Sequence, residues 1–282
     1  MIRLREGLGF ETVGDIRVFL REDGLTGSER KEIRFWAGSA DEGPESDLFD
    51  GLRVKAPGLK LLPGLLPRLG ARPGQVCLEV GAGQGWASLV LKRAVPGVSV
   101  HVSELSAAAL LSAAKWEGLM GVRLDGKWAC SSRDLPFADG QFDLLFTYEA
   151  FHHLGVAGDF SAALGEMVRV RKPGGRIVLL REPSAPAYLR RWQRRRVNRM
   201  RQVRLHADVD EDVLVLARLE RDVRALGLVC DVAFDTDWAF QDVSLAGVLR
   251  SALVRACPPL GRLVPCGVHV TIAAPGAGGT GA

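Results

Sequence analysis

Between Leu78 and Ser88 the chain reads LEVGAGQGWAS, which sets Gly81, Gly83 and Gly85 between a short apolar run and a helix-like segment. Glycines at such a junction let backbone amides at a helix start come close to a bound ligand, because no side chain stands in the way. The pattern that follows fixes the class of fold. QVCLEV reads as a strand, WASLVLKRAV as a helix, VSVHVSEL as a strand and SAAALLSAAKWEG as an alanine-rich helix. WACSS is a weak strand, FDLLFTYE a strong one, and DFSAALGEMVRV a helix, after which KPGG turns the chain into a further strand, RIVLLRE. Alternation of this kind predicts a parallel sheet with helices on both faces.

On either side of this unit the pattern changes. Residues 1–70 are irregular and punctuated by Gly and by Pro44, Pro57, Pro63 and Pro67, which predicts a helical and loop extension rather than sheet. Beyond RIVLLRE come a basic helical segment at 188–206, a helix opened by Asp208, Asp210, Glu211 and Asp212, a strand at VCDVAFD and a last strand at GVHVTIAA. The expected organisation is thus an extension over 1–70, an α/β domain over 71–275 with an insertion at about 184–206, and a flexible tail over 276–282. No period of repeat-protein length recurs.

With 47% hydrophobic and 25% charged residues, disorder and coiled coil are excluded and a sizeable core is expected. The first residues carry Arg3, Arg5 and Glu6 without a cleavable apolar run, and no stretch approaches a membrane span, so a soluble, cytoplasmic protein is expected. Cys77, Cys130, Cys230, Cys257 and Cys266 are odd in number and form no CxxC pair, and the histidines form no HExxH. No metal site is expected.

The glycine spacing discriminates between nucleotide ligands. A dinucleotide loop would need glycine at position 86, which is Trp86, whereas G-x-G-x-G is the spacing of adenosylmethionine loops. Glu79 ends the strand before the loop and Glu104 ends the next one, where a carboxylate can take ribose hydroxyls. Four ordered motifs, LEVGAGQGWAS, VSVHVSEL, RDLPFADGQFDLLFTYEAFHHL and VRKPGGRIVLL, resemble those of class I adenosylmethionine-dependent methyltransferases, over roughly residues 75–182. The likeness is to the small-molecule subgroup typified by ubiquinone and menaquinone biosynthesis enzymes (methyltransferase type 11). It implies a Rossmann-like, doubly wound, seven-stranded sheet with a helical lid after its fifth strand, and S-adenosyl-L-methionine as cofactor. It also implies that Glu79 with Gly81, Ala82, Gly83 and Gly85 holds the methionine part, that Glu104 holds the ribose, and that Leu105 packs on adenine. Where the family often carries an Asp for the adenine amino group, this chain has Cys130, Ser131 and Ser132; a serine oxygen accepts a hydrogen bond without charge assistance. Tyr148 completes the expected cofactor set.

Reacting groups in such sheets sit at the carboxyl ends of the strands. That singles out Tyr148, Glu149, His152 and His153 after the fourth strand and Arg181 and Glu182 after the fifth, with Glu149, His152 and His153 as candidate catalytic residues and Arg181 as a candidate substrate contact. Imidazole titrates near working pH and suits removal of a hydroxyl proton; the competing reading is that one ring only orients the loop. The adjacent rings must point in different directions. The Asn/Asp-Pro-Pro-Tyr/Phe motif of amino-directed nucleic-acid enzymes is absent, since Thr147-Tyr148-Glu149-Ala150 stands in its place.

The net charge of +4 is misleading. Residues 188–206 hold eight arginines and no acid, and the remainder has 29 Lys and Arg against 33 Asp and Glu. On a helical wheel Leu189, Trp192, Val197, Met200 and Val203 form an apolar stripe that includes Arg196, with Arg190, Arg191, Arg194, Arg195 and Arg201 across from it. As a lid, the helix would offer Trp192 and Arg196 to a substrate with a phosphate or carboxylate. The expectation is methylation of a small molecule, at oxygen, with an anionic group on the acceptor as one option. RNA bound through the arginine helix, an anionic membrane surface for that helix, and a non-catalytic adenosylmethionine-binding module are the alternatives.

Overall fold

The computed structural model describes residues 2–20, 24–39, 43–155, 158–204, 212–236 and 245–276. The chain enters through two short strands, β1 (Glu11–Val13) and β2 (Ile16–Val18), and two helices, α1 (Gly27–Gly38) and α2 (Leu48–Leu69). Alternation then begins with β3 (Val76–Val80), α3 (Trp86–Ala94), β4 (Ser99–Glu104), α4 (Ala107–Leu111), α5 (Ala113–Met120) and β5 (Gly126–Ala129). It continues through β6 (Phe142–Tyr148), α6 (Ser161–Val170) and β7 (Arg171–Ser184). Helices α7 (Arg190–Arg204) and α8 (Leu216–Ala225), strand β8 (Val229–Asp235), helix α9 (Leu245–Ala256) and strand β9 (Cys266–Ala273) follow.

One sheet orders the strands β1-β2-β5-β4-β3-β6-β7-β9-β8, parallel from β2 to β7, with β9 antiparallel between β7 and β8. The seven expected strands are all present as β3 to β9. The expected count is nonetheless two short, because the extension also contributes strands. Val13-Gly14-Asp15-Ile16 makes a tight turn, with Gly14 at φ +60°, and β2 then runs parallel to β5. Burial of Ile16 and an ion pair from Lys127 to Asp15 at 2.8 Å fix this hairpin over an otherwise open edge.

Successive strand residues face opposite sides, and both sides are covered. Leu78, Leu145, Ile177, Val270 and Ile272 pack with Leu164 and Met167 of α6 and Leu219 and Val223 of α8. Their neighbours Cys77, Leu144, Phe146 and Val178 pack with Leu62 and Leu69 of α2 and Leu89 and Leu91 of α3. Helix α2 runs unbroken through Pro57, Pro63 and Pro67, where the sequence predicts interruption. Its leucines, at helical spacing from Leu48 to Leu69, bury enough surface to outweigh the lost hydrogen bonds. The expected turn at KPGG is a bulge inside β7, across which the register with β6 shifts. Of the helix expected from Asp208, residues 205–211 lie outside the described residues, and α8 begins at Leu216. All of the expected tail except Gly276 also lies outside them.

Candidate active site

The carboxyl ends of β3, β4 and β6 meet at a cavity of about 320 Å³, within the range of small-molecule sites. Its floor is the glycine loop. Gly81, Gly83 and Gly85 all have positive φ, at +71°, +53° and +72°, so the alternate-glycine spacing answers a backbone requirement. Gly85 is the N-cap of α3, so this helix starts at the cavity.

Two carboxylates organise the loop from below. Glu79 is buried and accepts from the amide and hydroxyl of Ser88 at 3.0 and 2.5 Å, tying β3 to the first turn of α3. It does not line the cavity. Burial pushes its pKa up to about 8 against the pull of the Ser88 bonds, and the nearby Glu104 raises it further. Glu104 does line the cavity, and accepts from the amides of Gly83 at 2.8 Å, Leu105 at 2.6 Å and Ser106 at 3.3 Å. Burial pushes its pKa up too, while those three amides pull it down. Of roughly four acceptor positions on a carboxylate, three are taken by these amides, leaving one.

Gly81, Ala82, Gly83, Leu105, Ser132 and Tyr148 line the cavity; Gly85 and Ser131 stand just behind it. The Tyr148 hydroxyl is a buried polar atom with no protein partner among the described residues, and its ring meets Trp86 edge-on at 5.1 Å. A buried hydroxyl on a cavity wall calls for a ligand or water as partner.

At the reacting end the two histidines separate. The His152 ring is buried, with Nδ1 2.8 Å from Glu182 Oε2, and it lies outside the cavity. Glu182 also accepts from Thr147 Oγ1 and from the amides of Ala150, Phe151 and His152. Burial pushes Glu182 up, but the His152 ring and these amides outweigh it and hold its pKa below the ordinary value. His153 faces the cavity, its ring centroid 4.2 Å from that of His152. Glu149 lines the cavity with φ +52°, and Arg181, at φ +58°, sits behind it. Two non-glycine residues in the left-handed region at one site mark backbone strain held by its surroundings. Arg181 Nε donates to Glu149 at 2.8 Å and its Nη1 to Asp235 at 2.8 Å, so this buried guanidinium fixes Glu149 instead of reaching into the cavity.

The cover over the cavity comes from the N-terminal extension. Glu29, Phe35 and Trp36 of α1 and Val54, Lys55 and Gly58 of α2 line it, and none of these was singled out in the sequence. One signal was available: Thr26 and Glu29 form a capping box, the T-x-x-E start of α1. Glu29 then reaches across to Ser131 Oγ at 2.9 Å and Arg133 at 2.5 Å, joining α1 to the loop after β5. No described side chain of α7 lines the cavity. Trp192 is exposed with Arg196 stacked 5.7 Å from its ring, and Arg190 pairs with Asp212 at 2.7 Å. The side chains of Met200, Arg201 and Val203 lie outside the described residues. Among the described residues no cluster of His, Cys, Asp or Glu could hold a metal, and no helix is long and apolar enough to cross a membrane.

Residues 78–179 match the family described as "Methyltransferase domain". The demethylmenaquinone methyltransferase of Thermus thermophilus is 33% identical over 109 residues, covering 39% of this chain and 48% of that protein. A ubiquinone/menaquinone biosynthesis C-methyltransferase of Cereibacter sphaeroides is 31% identical over 127 residues, covering 44% and 49%. The chain thus spans about half the length of the curated relatives it matches. Geranyl diphosphate C-methyltransferase of Streptomyces coelicolor, solved with geranyl diphosphate and S-adenosylhomocysteine, shares the fold with a TM-score of 0.62 at 17% identity, over 88% of this chain and 98% of that one.

Proposed function

We propose, from the premise that this chain carries a class I small-molecule methyltransferase domain, that it transfers a methyl group from S-adenosyl-L-methionine to a hydroxyl-bearing small molecule. The observation that carries this reading is the convergence on one cavity of the glycine loop, the Glu104 carboxylate, the unpartnered Tyr148 hydroxyl and the His153 ring. The residues present fit the cofactor. A floor of glycines leaves room for close approach, Glu104 keeps one acceptor position for a ribose hydroxyl, and Tyr148 offers a donor. When bound, adenosylmethionine supplies a methyl group on a sulfonium, open to direct displacement.

The protein's own part is alignment, exclusion of water and movement of one proton. Trp36 and Phe35 of α1 roof the cavity and keep solvent from it. His153 is placed to take a proton from the acceptor, with its ring braced against His152 and the His152 ring fixed in turn by Glu182. Glu149, held by Arg181, stabilises the imidazolium that results or accepts the proton itself. Loss of that proton makes an aromatic hydroxyl compound nucleophilic at oxygen and, by resonance, at the adjacent ring carbon. Methylation at oxygen is the expectation from sequence; the relative named as a C-methyltransferase favours the carbon reading, and one base serves both. The arginine helix lends no support to an anionic acceptor or an RNA substrate, since no described side chain of α7 lines the cavity.

The test is incubation with methyl-labelled adenosylmethionine and, separately, a panel of hydroxylated aromatics and total RNA. Label is expected in a small molecule, at a rate reduced on the order of a hundredfold or more by His153→Ala. Label in RNA alone would overturn the reading.

A further inference from the structure

Helix α9 has one buried face and one exposed apolar face. Gly247 and Val254 are buried, with Arg250 and Ser251 on the same side, against Asp235, Thr236 and Cys266. On the opposite side Leu245, Val248, Leu249 and Leu253 are 75%, 52%, 55% and 59% exposed, at the spacing of one helical stripe. The patch continues onto its neighbours. Leu263, after the short turn Pro258–Arg262, is exposed, and its carbonyl accepts from the Tyr188 hydroxyl at 2.6 Å. Tyr188 and, one turn on, Trp192 are exposed as well, and on α7 Arg191, Arg195 and Arg199 are exposed at four-residue spacing.

In sequence, the two segments that carry this surface have charge of one sign. Residues 186–204 and 245–265 hold eleven arginines and no Asp or Glu. Arg262 pairs with Glu220 and Arg190 with Asp212, both acids coming from outside these segments. Monomers rarely leave so continuous an apolar patch in water. Aliphatic side chains with arginine, Trp and Tyr suit a protein interface and a bilayer boundary alike; eleven arginines without a balancing acid in these segments favour the anionic bilayer by charge complementarity.

We propose that α9 and α7 form a docking surface for an anionic phospholipid membrane. The aliphatic stripe of α9 enters the headgroup layer, and Arg191, Arg195 and Arg199 face the lipid phosphates. The surface lies at the carboxyl edge of the sheet. Helix α9 packs over Asp235, whose carboxylate holds Arg181, which holds Glu149 on the cavity wall. Docking therefore sets the cavity beside the lipid, where apolar acceptors accumulate. The surface stands independently of which acceptor is methylated, or of whether one is.

Co-sedimentation of the full chain with vesicles of phosphatidylcholine, or of phosphatidylcholine mixed with phosphatidylglycerol, tests it. Binding is expected to the anionic vesicles and to fall steeply with added salt. Leu249→Glu with Leu253→Glu, and separately Arg191→Gln with Arg195→Gln, should each weaken it on the order of tenfold or more. Both pairs are exposed, so circular dichroism and the urea midpoint should stay as in the parent. Failure to bind anionic vesicles, or binding untouched by both pairs, would overturn the proposal. So would a dimer that Leu249→Glu with Leu253→Glu converts to monomer in place of vesicle binding, since a second copy would then cover the patch. Salt-sensitive binding of RNA without binding of vesicles would overturn it equally.

Discussion

Glu79 braces the glycine loop from behind the cavity through its bonds to Ser88. Its carboxyl is buried and its pKa is raised to about 8, so the folded state holds its proton more tightly than the unfolded chain does. Its contribution to stability is therefore full below the ordinary carboxyl value and is lost as pH rises from about 4.5 to about 8. The unfolding free energy from urea titration should fall over that window by about a few kcal/mol, and Glu79→Gln should flatten most of the fall. The residual slope belongs to Glu104, whose shift has the same sign. The two histidines divide differently. His152→Ala strips Glu182 of its ring partner and should cost about 3–5 kcal/mol of stability. His153→Ala leaves the fold intact and should lower turnover, which parallel melting and rate measurements would separate. The HH pair was legible in the sequence; the packing of its rings at 4.2 Å, where adjacent side chains were expected to diverge, was not. Which ring faces the cavity was not, because that depends on Glu182, 30 residues on at the bend of β7.

Among elements, α1 is the one on which cofactor retention should depend most. Glu29 spans from the capping box to Ser131 and Arg133; burial pushes its pKa up, and the Thr26, Ser131 and Arg133 bonds outweigh this and hold it below the ordinary value. Glu29→Ala should free α1, seen as faster hydrogen exchange over 27–38, and weaken adenosylhomocysteine binding on the order of tenfold, with the cap worth about 1 kcal/mol of that. Gly58 tests the other wall. A Cβ there would stand 2.7 Å from the Trp86 ring, so Gly58→Ala must push α2 outward, and it should destabilise the protein by about 1–3 kcal/mol. These elements were hard to read for identifiable reasons. β1 and β2 are three residues each, too short to show alternation, and the prolines of α2 mimic breaks in what packing makes continuous. From Val76 to Glu182 the strands and helices were legible because local pattern and burial agree there.

At the scale of the whole molecule, the roof of the cavity comes from the extension over 1–70, to which the sequence assigns no role, and not from the arginine insertion expected as lid. The extension over 1–70 supplies both the edge strand of the sheet and the roof of the cavity, whereas the arginine helix expected as lid faces solvent. Ile16→Asp should therefore detach the hairpin, expose β5 and its Trp128, and cause aggregation visible in light scattering. The charge imbalance of the sequence survives as a real feature, now as a surface beside the site and not inside it.

The predictions of turnover and cofactor binding depend on one claim, that the cavity bounded by the glycine loop, Glu104 and Tyr148 holds an adenosylmethionine-type ligand. Isothermal titration of the full chain with adenosylhomocysteine tests it most directly. The account predicts one saturable site, with binding weakened at least tenfold by Glu104→Ala and measurably by Tyr148→Phe. Absence of heat and of thermal stabilisation, or binding indifferent to Glu104→Ala, would contradict it.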